Sequence, residues 1–203
     1  MKKILSDCDG VLLDWAYSFD KWMKFHFDLE VTDYSKYDVG ERYQSNWDLL
    51  DRKSGENMFY LPRVFCNSSR IGSLKPLRDS VKYVKKLYEE HGITIDVITS
   101  LSLDPETQKL RRHNLRKVFG DAIDRIVFLD TGADKDDMLE EWRDSELLWV
   151  EDKFENAQLG IEMGLQSILI EHEYNRDQGQ KARDAGIRVV SSWREIYNIA
   201  VGE

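Results

Sequence analysis

The sequence has few of the residues and segments that define several common protein classes. It contains two cysteines, Cys8 and Cys66, and three prolines in 203 residues. Two cysteines provide neither a disulfide framework nor the spacing of a zinc site, so we expect two reduced, structural thiols. No apolar run approaches the roughly 20 residues that cross a bilayer. The N-terminal segment reaches an acid at Asp7 too early for a signal peptide. We therefore expect a cytoplasmic protein with no membrane partner.

Positive charge is also in the minority. The chain has 29 Lys and Arg against 38 Asp and Glu, a formal net charge of −9. This balance argues against binding long nucleic acid through bulk charge, although small anions respond to local fields instead. Hydrophobic residues make up 41% and charged residues 33%, an ordinary globular mixture. The length indicates one domain, or one domain that carries a sizeable insertion.

Short apolar runs rich in β-branched residues alternate with stretches of helical periodicity. Such runs are typical of strands buried on both faces, and their alternation with helices predicts an α/β fold built on a parallel sheet. The predicted strands are 3–6, 93–98, 125–129, 147–150, 167–170 and 187–190, and the predicted helices are 78–91, a helix capped by Asp104 and starting at Pro105, 136–143, 155–163, 176–185 and 192–200.

Residues 15–70 interrupt this alternation. They show no convincing buried strand, yet they contain more than half of the Phe, Trp and Tyr residues of the chain. Trp15, Phe19, Trp22 and Phe25 lie close to one helical stripe, with Asp14 as a candidate N-cap. The pattern predicts a mostly helical unit inserted directly after the first strand.

Polar residues follow three of the predicted strands at the point where each one ends. Asp7 and Asp9 follow the first strand, Thr99-Ser100 end the second, and Glu151-Asp152 end the fourth. Parallel strands bring their carboxyl ends to one edge, where open α/β sheets bind ligands. Any one of these acids could be an ordinary turn residue, but acids after separate buried strands favour a functional cluster.

Clustered carboxylates require a positive partner. Two carboxylates about 4 Å apart repel each other by roughly 4 kcal/mol at an effective dielectric constant near 20. Asp7, Asp9 and Asp152 would therefore need protonation or a cation. A hard divalent cation with oxygen ligands is the simplest solution, and Mg²⁺ prefers one or two carboxylates together with phosphate and water. The four histidines are scattered and form no site for a softer metal.

These residues and their spacing resemble the motifs of a known family, the haloacid dehalogenase (HAD) superfamily of phosphohydrolases. Its four motifs occur here in the family's order between residues 7 and 170. They are Asp7-Cys8-Asp9-Gly10-Val11-Leu12-Leu13-Asp14, Ile98-Thr99-Ser100, Lys135 at a helix start, and Val150-Glu151-Asp152 with Asn156 and Gly164. The resemblance implies a Rossmann-like, HAD-like core of residues 1–14 and 71–203, with residues 15–70 as a helical cap.

The resemblance also implies roles for these residues. Asp7 would be the nucleophile that forms an aspartyl-phosphate, and Asp9 the general acid and base, whose presence favours a phosphatase over a dehalogenase. Thr99 and the Ser100 amide would bind phosphoryl oxygens, and Lys135 would offset charge. Mg²⁺ would be held by Asp7, the Asp9 carbonyl and Asp152. Lys135 could instead be a solvent-exposed residue of a charged loop. Glu151 differs from the residues that the family more often has at this position.

A finer resemblance is to the small 5'-nucleotidases that act on deoxyribonucleotides. It rests on Asp9 to Trp15, on the second and fourth motifs, and on Ser73-Leu74-Lys75-Pro76-Leu77. The resemblance implies a Mg²⁺-dependent phosphomonoesterase for nucleoside 5'-monophosphates. Trp15 is a candidate substrate wall, and packing within the cap is an equally good role for it.

Three other functions remain open. The substrate could be another small phosphorylated metabolite such as a sugar phosphate, or the chain could bind phosphate without turnover, which the Asp7 and Asp9 pair argues against. A phosphatase for polynucleotide ends would need a basic groove, for which the charge balance gives no sign. A homodimer is one of the assemblies that the sequence allows.

Overall fold

The structure, a computed structural model, describes residues 3–44 and 60–202. Strands alternate with helices along most of the chain. In chain order they are β1 (Lys3–Ser6), α1 (Trp15–Phe27), α2 (Val39–Arg42), α3 (Leu61–Cys66), α4 (Ser80–His91), β2 (Thr94–Ser100), α5 (Pro105–Phe119), β3 (Ile123–Leu129), α6 (Asp136–Leu139), β4 (Leu148–Glu151), α7 (Phe154–Glu162), β5 (Gln166–Ile170), α8 (Gly179–Asp184), β6 (Arg188–Val190) and α9 (Trp193–Val201).

The six strands form one parallel sheet in the order β3-β2-β1-β4-β5-β6. The chain builds outward from β1 to β3 and then returns to add β4 on the other side of β1. The strand order therefore reverses beside β1, where Ser6 pairs with Val97 of β2 and Val150 of β4. This reversal opens a crevice at the carboxyl ends of β1, β2 and β4. The predicted α/β fold with a Rossmann-like parallel sheet is confirmed.

The four inner strands are largely buried because helices cover the sheet, whereas the edge strands β3 and β6 are partly exposed. Leu5 and Trp149 are completely buried, and Trp149 packs with Leu139 and Trp142. Close packing of α7 on β4 depends on Gly160, where an added Cβ would lie 2.4 Å from Trp149 Cδ1. The indole of Trp149 also donates a hydrogen bond to the Asn156 carbonyl of α7 at 3.0 Å, which fixes the helix against the strand.

Two predicted helices are shorter than the periodicity indicated. The predicted helix 136–143 consists of α6 followed by the 3₁₀ turn Glu140–Trp142, and the first part of 176–185 belongs to the 3₁₀ turn Glu173–Gln178. In the second case the side chain of Asn175 explains the change. Its amide accepts a hydrogen bond from His172 N–H and donates to two carbonyls, so it ties the turn to neighbouring loops.

Residues 15–70, which lie between β1 and α4, contain helices and no strand in their described parts, 15–44 and 60–70. Asp14 caps α1 as predicted, because its side chain accepts a hydrogen bond from Tyr17 N–H at 3.1 Å. Phe19 is completely buried and Trp22 nearly so, but Phe25 is 74% exposed. The placement of Phe25 on the buried stripe was therefore wrong. Phe27, which packs against the core with its ring centroid 5.4 Å from that of Trp22, continues the stripe instead.

The expected cap, residues 15–70, includes 45–59, which lie outside the described residues. The assignment of residues 15–70 to a cap that is separate from the core therefore stays a prediction. Within the described ranges, no helix is long and apolar enough to cross a membrane.

Candidate functional site

The polar residues singled out in the sequence lie together at the carboxyl edge of the sheet. Asp7 directly follows β1, and its backbone N–H donates to the Val150 carbonyl of β4 at 2.9 Å. Thr99 lies near the end of β2, and Asp152 directly follows β4. All three side chains are buried, with relative exposures of 7%, 1% and 4% for the residues in that order. The edge therefore holds a buried polar cluster at the bottom of a crevice.

Lys135 belongs to this cluster. Its side chain is 3% exposed, which excludes a role as solvated surface. Its ammonium donates to Asp7 Oδ1 at 2.7 Å and to Glu151 Oε1 at 2.5 Å. The loop before it is held in place by Ser100, whose hydroxyl donates to the Ala133 carbonyl at 2.8 Å. The Ser100 side chain thus supports the loop that delivers Lys135 to Asp7.

Glu151 is the most heavily hydrogen-bonded acid of the site. Besides the bond from Lys135, its Oε1 accepts from the Asn156 amide at 2.9 Å. Its Oε2 accepts from the backbone N–H groups of Asp152 and Lys153 at 3.0 and 3.1 Å. Both oxygens are thus engaged, which suits a residue that orients Lys135 better than one that binds a metal directly.

The cluster carries more negative than positive charge. One carboxylate oxygen from each of Asp7, Glu151 and Asp152 lies within 4.8 Å of the others. Lys135 supplies the single positive charge in this group of four side chains. Burial, together with the charges of Glu151 and Asp9, raises the pKa of Asp7 to about 6 despite Lys135. Burial and the neighbouring carboxylates also raise the pKa of Asp152 well above its ordinary value.

The charge imbalance fits a divalent cation. When all three carboxyl groups are ionised, they and the Lys135 ammonium leave a local charge of two negative units, which one Mg²⁺ would neutralise. Oxygen is the donor type that Mg²⁺ prefers, and cysteine and histidine take no part in the cluster. Asp7 and Asp152 are the side chains best suited to hold the ion.

Asp152 is oriented by an aromatic pair that follows β5. The hydroxyl of Tyr174 donates to Asp152 Oδ2 at 2.6 Å. The ring of His172 stacks on Tyr174 at 4.7 Å, and its Nε2 lies 2.6 Å from the Gly10 carbonyl. Burial and the charge of Arg78 lower the pKa of His172 to about 4, so its ring is neutral at pH 7. We assign its proton to Nε2, which donates to Gly10.

Asp9 has a cationic partner of its own. Arg111 of α5 places Nη1 on Asp9 Oδ1 in a short hydrogen bond and Nη2 at 3.2 Å from Asp9 Oδ2. Arg111 Nη1 also lies 2.8 Å from Cys8 Sγ. Burial of Arg111 is offset by the charge of Asp9, and the pKa of the guanidinium lies above its ordinary value. Asp9 and Arg111 therefore form a bidentate ion pair beside the Asp7 cluster.

A cavity of about 470 Å³ opens above these residues. Asp7, Asp9, Thr99, Lys135 and Asp152 line its floor, together with Ser100. Its size falls within the usual range for small-molecule sites. The structure thus brings together at one cavity all the site residues expected from the sequence.

Trp15 lies on the wall of the same cavity. Its ring stacks on Phe19 at 4.8 Å with an interplanar angle of 9°, and Phe65 meets it edge-on at 5.4 Å. Trp15 therefore both packs against α1 and α3 and faces the cavity, so the two roles left open by the sequence are compatible.

Two residues of the site were not predicted from the sequence, Arg111 and Tyr174. A signal for Arg111 was present, because it precedes Leu115 by four residues and Phe119 by eight, on the buried stripe of α5. A charged residue at such a position needs a buried partner. Tyr174 gave no comparable signal, since it lies in an irregular turn whose position depends on the fold.

Comparisons with known proteins agree with this architecture. No protein-family model matches the sequence, and no curated protein is significantly similar to it. Among solved structures, a HAD family hydrolase from Deinococcus radiodurans with bound phosphate and sodium superposes with a TM-score of 0.66 at 14% identity, covering 100% of this chain and 96% of that one. The chain has a HAD-like fold.

Two further HAD-like structures have different activities. D,D-heptose 1,7-bisphosphate phosphatase from B. bronchiseptica, complexed with magnesium and phosphate, has a TM-score of 0.60 at 12% identity, covering 100% of this chain and 99% of that one. A dehalogenase with an intermediate complex has a TM-score of 0.58 at 12% identity, covering 98% and 96%. The HAD-like fold is therefore shared by enzymes of different chemistry, and the reaction must be argued from the site.

Proposed function

We propose that the protein is a Mg²⁺-dependent phosphomonoesterase that works through an aspartyl-phosphate on Asp7. The observation that carries the proposal is the buried cluster itself. A carboxylate nucleophile lies 2.7 Å from a buried lysine, beside a second carboxylate, on the floor of a cavity that a small phosphate ester could enter. A buried arrangement of this kind serves phosphoryl transfer, because the reaction needs an aligned nucleophile and fixed positive charge.

In the first half of the reaction, a carboxylate oxygen of Asp7 attacks phosphorus and the ester P–O bond breaks. The leaving alkoxide takes a proton from Asp9, which acts as the general acid. Lys135 donates to Asp7 and lines the cavity, so it would offset the negative charge that collects on Asp7 and the phosphoryl group. Thr99 lines the cavity floor, where its hydroxyl and the Ser100 N–H would bind phosphoryl oxygens.

In the second half, the Asp9 carboxylate removes a proton from water, which attacks the phosphorus of the aspartyl-phosphate. The P–O bond to Asp7 then breaks, inorganic phosphate leaves, and both carboxyl groups return to their starting forms. Asp7, the backbone carbonyl of Asp9 and Asp152 would hold Mg²⁺. The ion would supply positive charge to the phosphoryl oxygens and lower the repulsion between phosphate and Asp7.

The proposed substrate is a nucleoside 5'-monophosphate, with deoxyribonucleotides as the first compounds to examine. The aromatic wall supports it, because the ring of Trp15 borders the cavity and a nucleobase could stack there. Lys36 and Lys153 also line the cavity and would suit an anionic substrate. Residues 15–70 would form a cap over the site, and the enzyme would act in the cytoplasm, as a monomer or homodimer.

A sugar phosphate is the second candidate substrate. The cavity contains hydrogen-bonding side chains as well as the aromatic wall, and a structural neighbour is described as a heptose bisphosphate phosphatase. Stacking on Trp15 separates the two candidates. Trp15→Leu should raise KM for nucleotides about 5- to 150-fold and leave KM for sugar phosphates nearly unchanged, given about 1–3 kcal/mol per stacked base.

The test is a phosphate-release screen over nucleotides and sugar phosphates in Mg²⁺ or EDTA. Activity should depend on the metal, and Asp7→Asn should abolish it. Asp121→Asn, the same chemical change at an exposed position, is the matched control and should retain full activity. Acid-quenched wild-type protein should carry labelled phosphate that hydroxylamine releases, as expected of an acyl phosphate. Turnover by Asp7→Asn would contradict the assignment of the nucleophile.

A further inference from the structure

Arg111 is a buried arginine whose hydrogen bonds converge on the loop that follows β1. Its side chain is completely buried, although it projects from α5, which supplies none of the residues assigned above to phosphate or metal. Both Nη atoms contact Asp9, and Nη1 also contacts Cys8. Its Nε has no hydrogen-bond partner among the described residues.

Stability alone is a weak reason for this arrangement. Removing a guanidinium from water costs several kcal/mol, and a single carboxylate partner often only balances that cost. The unpartnered Nε adds to the cost. Hydrophobic residues occupy equivalent positions on the same face of α5, such as Leu115 and Phe119, so an apolar residue at position 111 would suit the helix.

The geometry suits orientation of Asp9 much better. The Asp9 side chain is 22% exposed and lines the cavity, so by itself it could rotate about both side-chain torsions. A guanidinium fork that contacts both carboxylate oxygens fixes the position and the plane of the group together. Proton transfer needs such control, because a displacement of about 1 Å can slow a reaction by about 100-fold.

We propose that Arg111 is a positioning residue that holds the Asp9 carboxyl group in place for proton transfer to the leaving group and from water. The inference rests on the proposed function, since it assigns Arg111 to the proton-transfer residue of that reaction. Arg111 itself touches neither substrate nor metal and acts only through Asp9.

The test separates positioning from simple structural support by varying the leaving group. p-Nitrophenolate leaves readily without a proton, whereas an alkoxide from an alkyl phosphate needs one. Formation of the aspartyl-phosphate is measured in single-turnover experiments with each ester. Arg111→Met should slow this step at least 100-fold with the alkyl phosphate and less than tenfold with p-nitrophenyl phosphate. The intermediate formed from p-nitrophenyl phosphate should then persist, because its hydrolysis also requires Asp9.

Two variants complete the design. Arg111→Lys preserves the charge but donates to Asp9 with less geometric control, so it should restore part of the alkyl phosphate rate and the same ester preference. It also serves as the test if Arg111→Met fails to fold. Arg112→Met removes the adjacent, exposed arginine and should leave both rates unchanged.

The outcomes distinguish this inference from the proposed function. Equal losses with the two esters, or no loss in either variant while the wild type is active, would overturn the positioning role alone. A wild-type protein that releases phosphate in Mg²⁺ from neither ester and from none of the nucleotides and sugar phosphates of the screen would overturn the phosphatase assignment and the positioning role with it.

Discussion

Removing the divalent cation should make the ionisation of Asp7 costly, so that the protein loses stability relative to Asp7→Asn as the pH rises. The reason is the charge imbalance of the Asp7 cluster. In the metal-free protein, burial and neighbouring carboxylates raise the pKa of Asp7 from 3.8 to about 6. The folded state therefore binds the Asp7 proton more tightly than the unfolded state does. The contribution of Asp7 to the free energy of unfolding is fully present below its pKa in the unfolded state. It is lost as the pH rises through the pKa of Asp7 in the folded state.

The expected magnitude follows from this shift. A change of about two pKa units corresponds to about 3 kcal/mol once both states are ionised, at 1.36 kcal/mol per unit. Between pH 5 and pH 8 the loss from Asp7 alone is about 1.4 kcal/mol, because part of it has already occurred at pH 5. For a chain of this length, the Tm of the wild type should fall by about 3–6 °C relative to that of Asp7→Asn. The raised pKa of Asp152 acts in the same direction.

Thermal unfolding by circular dichroism in EDTA, at closely spaced pH values, measures the effect. Asp7→Asn is the matched variant, because asparagine keeps the shape of the side chain without the ionisation. In EDTA at pH 8 it should be more stable than the wild type, by up to about 3 kcal/mol, and the difference should vanish toward pH 4. Mg²⁺ should reverse the order at pH 8 by stabilising the wild type more strongly.

The difference between the two proteins cancels pH effects that arise elsewhere in the chain. If their Tm values in EDTA follow the same curve from pH 4 to pH 8, Asp7 ionisation has no cost in the folded state. The argument for a cation at this cluster would then fail.

Three further changes test single contacts of the site. Lys135→Met should lower the free energy of unfolding by about 3–5 kcal/mol in EDTA, because it leaves Asp7 and Glu151 without their buried cation. Denaturant titration measures this loss, and a value under about 1 kcal/mol would contradict the prediction. Gly10→Ala should weaken Mg²⁺ binding in calorimetric titrations, because φ is +76° there and an added Cβ would lie 2.2 Å from Asp152 Oδ2. Tyr174→Phe removes the hydrogen bond to Asp152 and should raise the Mg²⁺ Kd several-fold, with unchanged Tm in EDTA to within a few degrees.

The secondary structure was largely determined by local sequence. The β-branched runs predicted all six strands, with every end within two residues of its observed position, because strands of a parallel sheet need continuous apolar side chains. The acids and hydroxyls that follow β1, β2 and β4 were equally visible, since strand ends are local features. Their convergence at one edge followed from the parallel topology, which the alternation of strands and helices already indicated.

Side chains whose partners are distant in the chain could not be assigned in this way. The charged loop around Lys135 looks the same in sequence whether it faces solvent or, as here, Asp7 across 128 positions. Phe25 appeared to belong to the buried stripe of α1, but the structure leaves it exposed and packs Phe27 against the core instead.

The sequence by itself therefore determined the α/β architecture, the positions of the site residues along the chain and the excess of acid among them. Tertiary structure decided how those charges are paired. Glu151 and Asp7 share Lys135, and Asp9 is paired with Arg111. The cluster of Asp7, Glu151 and Asp152 therefore keeps an excess of negative charge that calls for a cation. The physical reason is that periodicity reports which residues are buried, whereas the partner of a buried charge depends on which distant elements the fold packs against it.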